Sequence, residues 1–247
     1  MDRFEQARAR ALAGLQERPG IGTLRERSLH AILKYWADPD ESHHEAALPC
    51  RLIADIWDGE RVTEIQTRGF SKLRPKLARL LPDYAVTILY PVARTKRLIW
   101  VDPESGALSA PRKSPKAGTA WDAFRELYYI RDYLCSPRLS LRLVYLEMEE
   151  YRLLNGWSRD RKKGSCRVER IPTALLGEET LCGPADFAAL LPPGLPAPFT
   201  SGSLAEALHI PPKRAGQIIN VLYSIGSIIR EGKSGRAFLY RNAWPQG

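Results

Sequence analysis

The spacing of apolar positions changes along this chain, and each change marks an element. In TLRERSLHAILKYW (23–36), Leu29, Ile32, Leu33 and Trp36 recur at i, i+3, i+4 and i+7, which predicts a helix with one apolar face. Residues 43–49 suit a first strand. RLIADIW (51–57) and RVTEIQT (61–67) predict two more strands, joined by a tight turn at Asp58-Gly59. SKLRPKLARLL (71–81) returns to the helical period, with Leu73, Leu77, Leu80 and Leu81 in register and Pro75 placed in the first turn. AVTILY (85–90) is almost wholly apolar, as a strand buried on both faces requires. The order is helix, three strands, helix, strand. A strand at 96–101, a helix at 120–135 and a long strand at 138–149 follow. The basic, poorly periodic stretch from 157 to 171 reads as a hairpin or loop.

The clearest interruption is LLPPGLPAPF (190–199). Four prolines and a glycine in ten residues continue neither a helix nor a central strand. It predicts a division into 1–190, a Pro-rich linker at 191–198, and a small domain at 199–247. In that last part SLAEALHI carries Ser203 and Glu206 at capping-box spacing. A second helix, PPKRAGQIINVLYSIG, has Pro212 near its start and Gly226 near its end. IIREGKSGRAFLY then predicts two strands around Gly232-Lys233-Ser234-Gly235. Helix, turn, helix and hairpin is the plan of a winged helix-turn-helix.

Composition narrows the classes. With 247 residues, 44% apolar and 26% charged, the chain is long enough for a real core and is not compositionally disordered. No apolar run reaches membrane-helix length, and the first twenty residues lack the core of a signal peptide, so a cytoplasmic protein without membrane partners is expected. Cys50, Cys135, Cys166 and Cys182 lie far apart and read as free thiols. His43 and His44 are adjacent, which on a strand sends them to opposite faces. The net charge of +9 suits a protein that meets polyanions.

The chemistry concentrates in DIWDGERVTEIQTR (55–68). Glu64 and Gln66 share a strand face, and the turn brings Asp55 beside one of them, since cross-strand partners lie only about 5 Å apart. Two carboxylates that close repel, and burying either costs several kcal/mol unless something compensates. A divalent cation is the simplest compensation; Mg²⁺ typically takes one or two carboxylates, with water and substrate phosphate completing its shell. A solvated polar strand face is the competing reading.

Asp55…Glu64-Ile65-Gln66, in this order of elements, resembles the PD-(D/E)XK, or restriction-endonuclease-like, nuclease superfamily over roughly residues 20–90. The resemblance implies an α/β core (αβββαβ, a central mixed sheet flanked by helices). It also implies metal-dependent hydrolysis of phosphodiester bonds, with Mg²⁺ or Mn²⁺ as cofactor. Asp55 and Glu64 would be the metal-holding residues, and Glu26 an additional ligand on the first helix. Gln66 takes the position of the lysine that orients the attacking water and offsets charge. Thr23-x-x-Glu26 is also a capping box, which accounts for Glu26 structurally. Lys72 and Lys76, four apart on the following helix, would either supply the missing charge or remain solvated. The wider pattern also resembles an uncharacterised bacterial family that joins such a domain to a C-terminal winged helix. It runs from GIGTLRERSLHAILKYW through EIQTR, YPVART and RKSPK. A non-catalytic DNA-binding or regulatory protein on a nuclease-like scaffold is the alternative function.

The cations cluster. Arg94, Lys96, Arg97, Arg112, Lys113 and Lys116 form one group; Arg159, Arg161, Lys162, Lys163, Arg167 and Arg170 form another. Arg112, Lys113 and Lys116, in the loop RKSPK, suit phosphate contacts. On the second C-terminal helix Lys213 and Arg214 would meet phosphates or guanine edges, and Gln217 and Asn220 would read adenine. Lys233 and Arg236 would grip DNA from the wing. The expected partner is nucleic acid, DNA first. The sequence leaves the oligomeric state open, a homodimer included.

Overall fold

The computed structural model describes residues 2–16, 27–156 and 164–244. Helices α1 (Arg3–Gln16) and α2 (Arg27–Ala37) precede strands β1 (His44–Ala47), β2 (Ile53–Trp57) and β3 (Arg61–Ile65). Helix α3 (Phe70–Leu80), strand β4 (Ala85–Val101) and the two-residue strand β5 (Arg112–Lys113) follow. Then come α4 (Phe124–Leu127), β6 (Leu139–Leu153), β7 (Cys166–Leu181) and α5 (Pro184–Ala189). The chain ends with α6 (Ser201–Ala207), α7 (Pro212–Ser224), β8 (Ile228–Ser234) and β9 (Ala237–Asn242).

The strands form a central mixed sheet in the order β1-β2-β3-β4-β6-β7, with β5 on the outer half of β4. β3, β4 and β6 run parallel at its centre; the flanking pairs are antiparallel. One face is covered by α1 and α2, which bury Phe4, Leu29, Ile32, Leu33 and Trp36 against Ile56, Ile65, Leu89, Val144 and Met148. The other is covered by α3, the 120–134 segment and the C-terminal helices. There Phe70, Leu73, Leu77, Phe124, Leu127, Ile218 and Leu222 meet Val62, Ile88 and Leu141.

Several elements depart from expectation. Residues 85–90 and 96–101 are one 17-residue strand with an irregularity between Ala93 and Thr95. β3 pairs with it only at Ala85–Leu89, so the strand runs on past its neighbour, and Pro91 sits where no N–H is needed on that side. The 120–135 helix is instead a 3₁₀ turn, the short α4 and another 3₁₀ turn. Its buried residues Trp121, Phe124, Leu127 and Ile130 are spaced by three, the 3₁₀ repeat. Pro75 falls in the second turn of α3, not the first, because the helix begins at Phe70. α6 is capped by Thr200, and Ser203, the third residue of the helix, is the other partner of that capping box. Of the hairpin and loop readings of 157–171, the loop fails from Cys166 onward, where β7 begins and pairs antiparallel with β6; 157–163 lie outside the described residues. Residues 191–198 are loop, as their prolines require, and α7 beyond them packs on α4.

Candidate functional site

The β2–β3 ladder pairs Trp57 with Val62 and Ile56 with Thr63. One step further, Asp55 would face Glu64, and there the ladder stops. Instead the backbone N–H of Ile65 donates to the Asp55 carboxylate at 2.7 Å. A side chain replaces a carbonyl as acceptor, so the strands part where the two carboxylates sit. Asp55 Oδ2 also lies 3.2 Å from Nε2 of His30 on α2.

Glu64 is 1% exposed. Its Oε2 accepts from Lys76 Nζ at 2.6 Å, and the same ammonium donates to the Ile53 carbonyl at 2.6 Å. Oε1 is buried with no hydrogen-bond partner. Burial, then the Asp55 charge, push the Glu64 carboxyl up to about 7 against the opposing pull of Lys76. For Asp55 burial also acts upward. The His30 hydrogen bond and charge, the Ile65 N–H and Lys76 outweigh it, leaving that carboxyl below its ordinary value. Neighbouring carboxyls thus diverge: one is readily ionised and the other holds a proton near neutrality.

Gln66 follows directly. Its backbone N–H donates to Leu89 at 3.0 Å, and the residue lines a depression of about 800 Å³ with Glu64, Lys72 and Lys76. Arg125 and Glu126 of α4 form its far wall. Glu126 Oε2 accepts from the backbone N–H groups of Gly69 (2.7 Å) and Phe70 (3.1 Å), capping α3 from 56 residues away. Glu26 lies outside the described residues. Of the two helix lysines weighed from sequence, Lys76 reaches a carboxylate. The sequence marks His30 only as an imidazole beside the apolar stripe of α2.

The residues read as nucleic-acid contacts divide. Lys116, Lys213, Arg214 and Gln217 line one cleft of about 700 Å³ on the other side of Arg125 and Glu126. Arg214 is ion-paired there with Asp122. Arg112 and Lys113 are exposed on β5, outside the cleft. Asn220 is exposed on α7, Lys233 lies 4.9 Å from the Phe238 ring centre, and Arg236 is exposed in the β8–β9 turn. None of these three lines the cleft.

Residues 27–182 match the sequence model of a family described as "Domain of unknown function (DUF8091)". A relative from Treponema pallidum (strain Nichols), named "Uncharacterized protein", is 30% identical over 231 residues, covering 91% of this chain and 88% of the relative. No solved structure matches.

Proposed function

Because this chain belongs to that family, whose description carries no activity, we propose its function from the site itself: metal-dependent hydrolysis of phosphodiester bonds in DNA. In this reading the sheet and its helices are a restriction-endonuclease-like core, and α6, α7, β8 and β9 are a winged helix that binds DNA. The observation that carries it is the pair Asp55 and Glu64 at the point where their strands part, with Glu64 Oε1 buried and unpartnered. A buried carboxylate oxygen without a donor is costly unless a cation takes it.

These residues fit a hard divalent cation such as Mg²⁺ or Mn²⁺. Among the described residues no three His, Cys, Asp or Glu side chains form a cage. Water and substrate phosphate would complete the shell, as Mg²⁺ prefers, with Glu26 as a further candidate. When bound, such an ion polarises a phosphoryl oxygen and lowers the pKa of a coordinated water. Asp55 and Glu64 would hold it, with His30 fixing the orientation of Asp55. Lys76 supplies the positive charge that glutamine lacks, from a helix rather than from the strand. Its ammonium offsets charge developing on the phosphoryl group, and the Gln66 amide orients the attacking water.

One observation favours a second reading. Lys76 already neutralises Glu64 without any ion, as in a non-catalytic DNA-binding scaffold. Incubating the protein with plasmid, single-stranded and branched DNA in Mg²⁺ or Mn²⁺ separates the two. Cleavage is expected in the wild type and lost in Asp55→Asn and Glu64→Gln, with unchanged circular dichroism. If every substrate stays intact, the hydrolytic reading fails and the scaffold reading stands.

A further inference from the structure

The cleft beyond Arg125 and Glu126 differs from the carboxylate depression in origin and charge. β3 stops at Ile65 while β4 continues, so one edge of β4 is open between Leu89 and the β5 pairing at Arg97. The chain between β5 and α4 returns along this gap. Ser114 N–H donates to Lys96 at 2.8 Å, and Gly118 N–H donates to Ala93 at 2.8 Å. At Gly118 any Cβ would stand 2.6 Å from the Ala93 carbonyl oxygen, so the approach requires glycine. The floor of the cleft is therefore sheet edge, and α7 forms the opposite wall with Lys213, Arg214 and Gln217.

Cations enter from five separate elements: Lys96 from β4, Lys116 from the returning loop, Arg125 from α4, Arg167 and Arg170 from β7, and Lys213 from α7. The carboxylates on the lining, Asp122 and Glu126, are both engaged, one by Arg214 and the other by the start of α3. Lys96 is held by Glu150 at 3.1 Å. Lys116 and Lys213 are exposed and have no carboxylate partner among the described residues. At Lys116 and Lys213 the positive charge facing this concave site is not cancelled by a carboxylate, which favours an anion carrying several charges. A volume of about 700 Å³ lies in the range of small-ligand pockets, which suits a few nucleotides of one strand and not a duplex.

We propose that this cleft binds a short single-stranded stretch of nucleic acid by its phosphates. The proposal rests on the nucleic-acid reading above but not on the carboxylates, and it sets single-strand binding apart from whatever α7 and the β8–β9 hairpin do with a duplex. The shared chemistry is a row of nucleotide phosphates, which a free nucleoside triphosphate would also present.

The test is fluorescence anisotropy of the full chain with a labelled twelve-residue oligothymidylate, with ATP and a duplex of equal length as competitors. Lys116→Glu with Lys213→Glu is expected to weaken oligothymidylate binding at least tenfold. It should also flatten the log–log salt dependence by about 1.4, the value for two lost single-strand phosphate contacts. Arg51→Glu with Arg79→Glu, an equal charge change at exposed residues that do not line the cleft, is expected to leave affinity within about twofold at 0.15 M salt, where screening is strong. Binding is expected to persist in EDTA, where no divalent ion is available to the carboxylate depression; its loss there would overturn the proposal. ATP that displaces the label as well, mole for mole, as unlabelled oligothymidylate would assign the cleft to free nucleotides, and a duplex that competes as well as the single strand would overturn the proposal. Equal weakening by both charge-reversed pairs, or no binding of the oligothymidylate by wild type, overturns the proposal even if duplex cleavage is observed.

Discussion

A carboxyl pushed up to about 7 in the fold, against an ordinary 4.5, makes stability depend on pH in a defined direction. Between those values the folded state holds a proton on Glu64 that the unfolded chain has released. Folding is therefore favoured at the acid end, and this contribution is lost as pH rises from 4.5 through 7, by about 3 kcal/mol. Asp55, lowered in the fold, acts oppositely: its contribution is present above 3.8 and is lost on acidification below that value. Glu64→Gln should therefore flatten urea-melt stability between pH 5 and 8; an unchanged slope would place the proton elsewhere. Lys76→Met is expected to cost about 1 kcal/mol more at pH 8 than at pH 5, because without the ammonium Glu64 must keep at pH 8 a proton that the wild type has released. Equal cost at both values would mean that the Lys76 stem, not its charge, matters. Asp55 and Glu64 were legible in the sequence because carboxylates stand out among apolar strand positions. The sequence offers Lys76 only as one of two candidates with Lys72, and does not mark His30 as a site residue, because their places depend on how α3 and α2 lie across the sheet. Spacing within a helix does not report that.

At the scale of elements, α3 carries Lys72 and Lys76 but has no cap of its own. The residue before it is Gly69, with φ of 78° and no side chain. Glu126, on α4, supplies the acceptor for Gly69 and Phe70. Glu126→Ala should cost about 1 kcal/mol, the usual value of a lost cap, and loosen the first turn of α3. Hydrogen exchange is expected to quicken at Gly69 and Phe70 while the β4–β6 ladder stays protected. Uniform acceleration would indicate global destabilisation instead. No local window of sequence contains this cap. Long-range pairing also explains why β4 read as two strands: its outer half pairs with β5 and β6 after β3 has ended. β7 went unseen because it is an edge strand whose Arg and Glu residues break the alternation, a normal defence against edge-to-edge association. α1 buries Phe4, Ala7 and Ala11, a stripe too small-sided to stand out. By contrast α2 and α3, with Leu, Ile, Trp and Phe on one face, lie close to where their periodicity puts them.

For the whole molecule the question is what the proline-rich loop separates. By composition it is a linker, and linkers commonly divide domains. The core nevertheless runs across it: Leu204, Ile218, Leu222 and Ile225 belong to the same buried cluster as Phe124, Leu127 and Ile130. Polar contacts cross it as well. Arg214 pairs with Asp122, and Ser227 Oγ donates to the Pro184 carbonyl at 2.8 Å. Proline fixes where a chain cannot be helical, but it does not determine whether the next helix docks on what came before. Docking is set by which faces are apolar, and on α7 Ala215, Ile218, Ile219, Val221 and Leu222 are all buried. The expected consequence is one cooperative unit. Calorimetry of the full chain should give a single thermal transition whose van't Hoff and calorimetric enthalpies agree. A fragment ending at residue 190 would expose the 120–134 face that α7 covers, so it should melt broadly and bind a hydrophobic dye. Two separated transitions in the full chain, together with a sharply melting 1–190 fragment, would show that the loop divides independent domains. The shared core would then be only a docking interface, and the basic cleft, which needs walls from both sides, would open whenever that interface did.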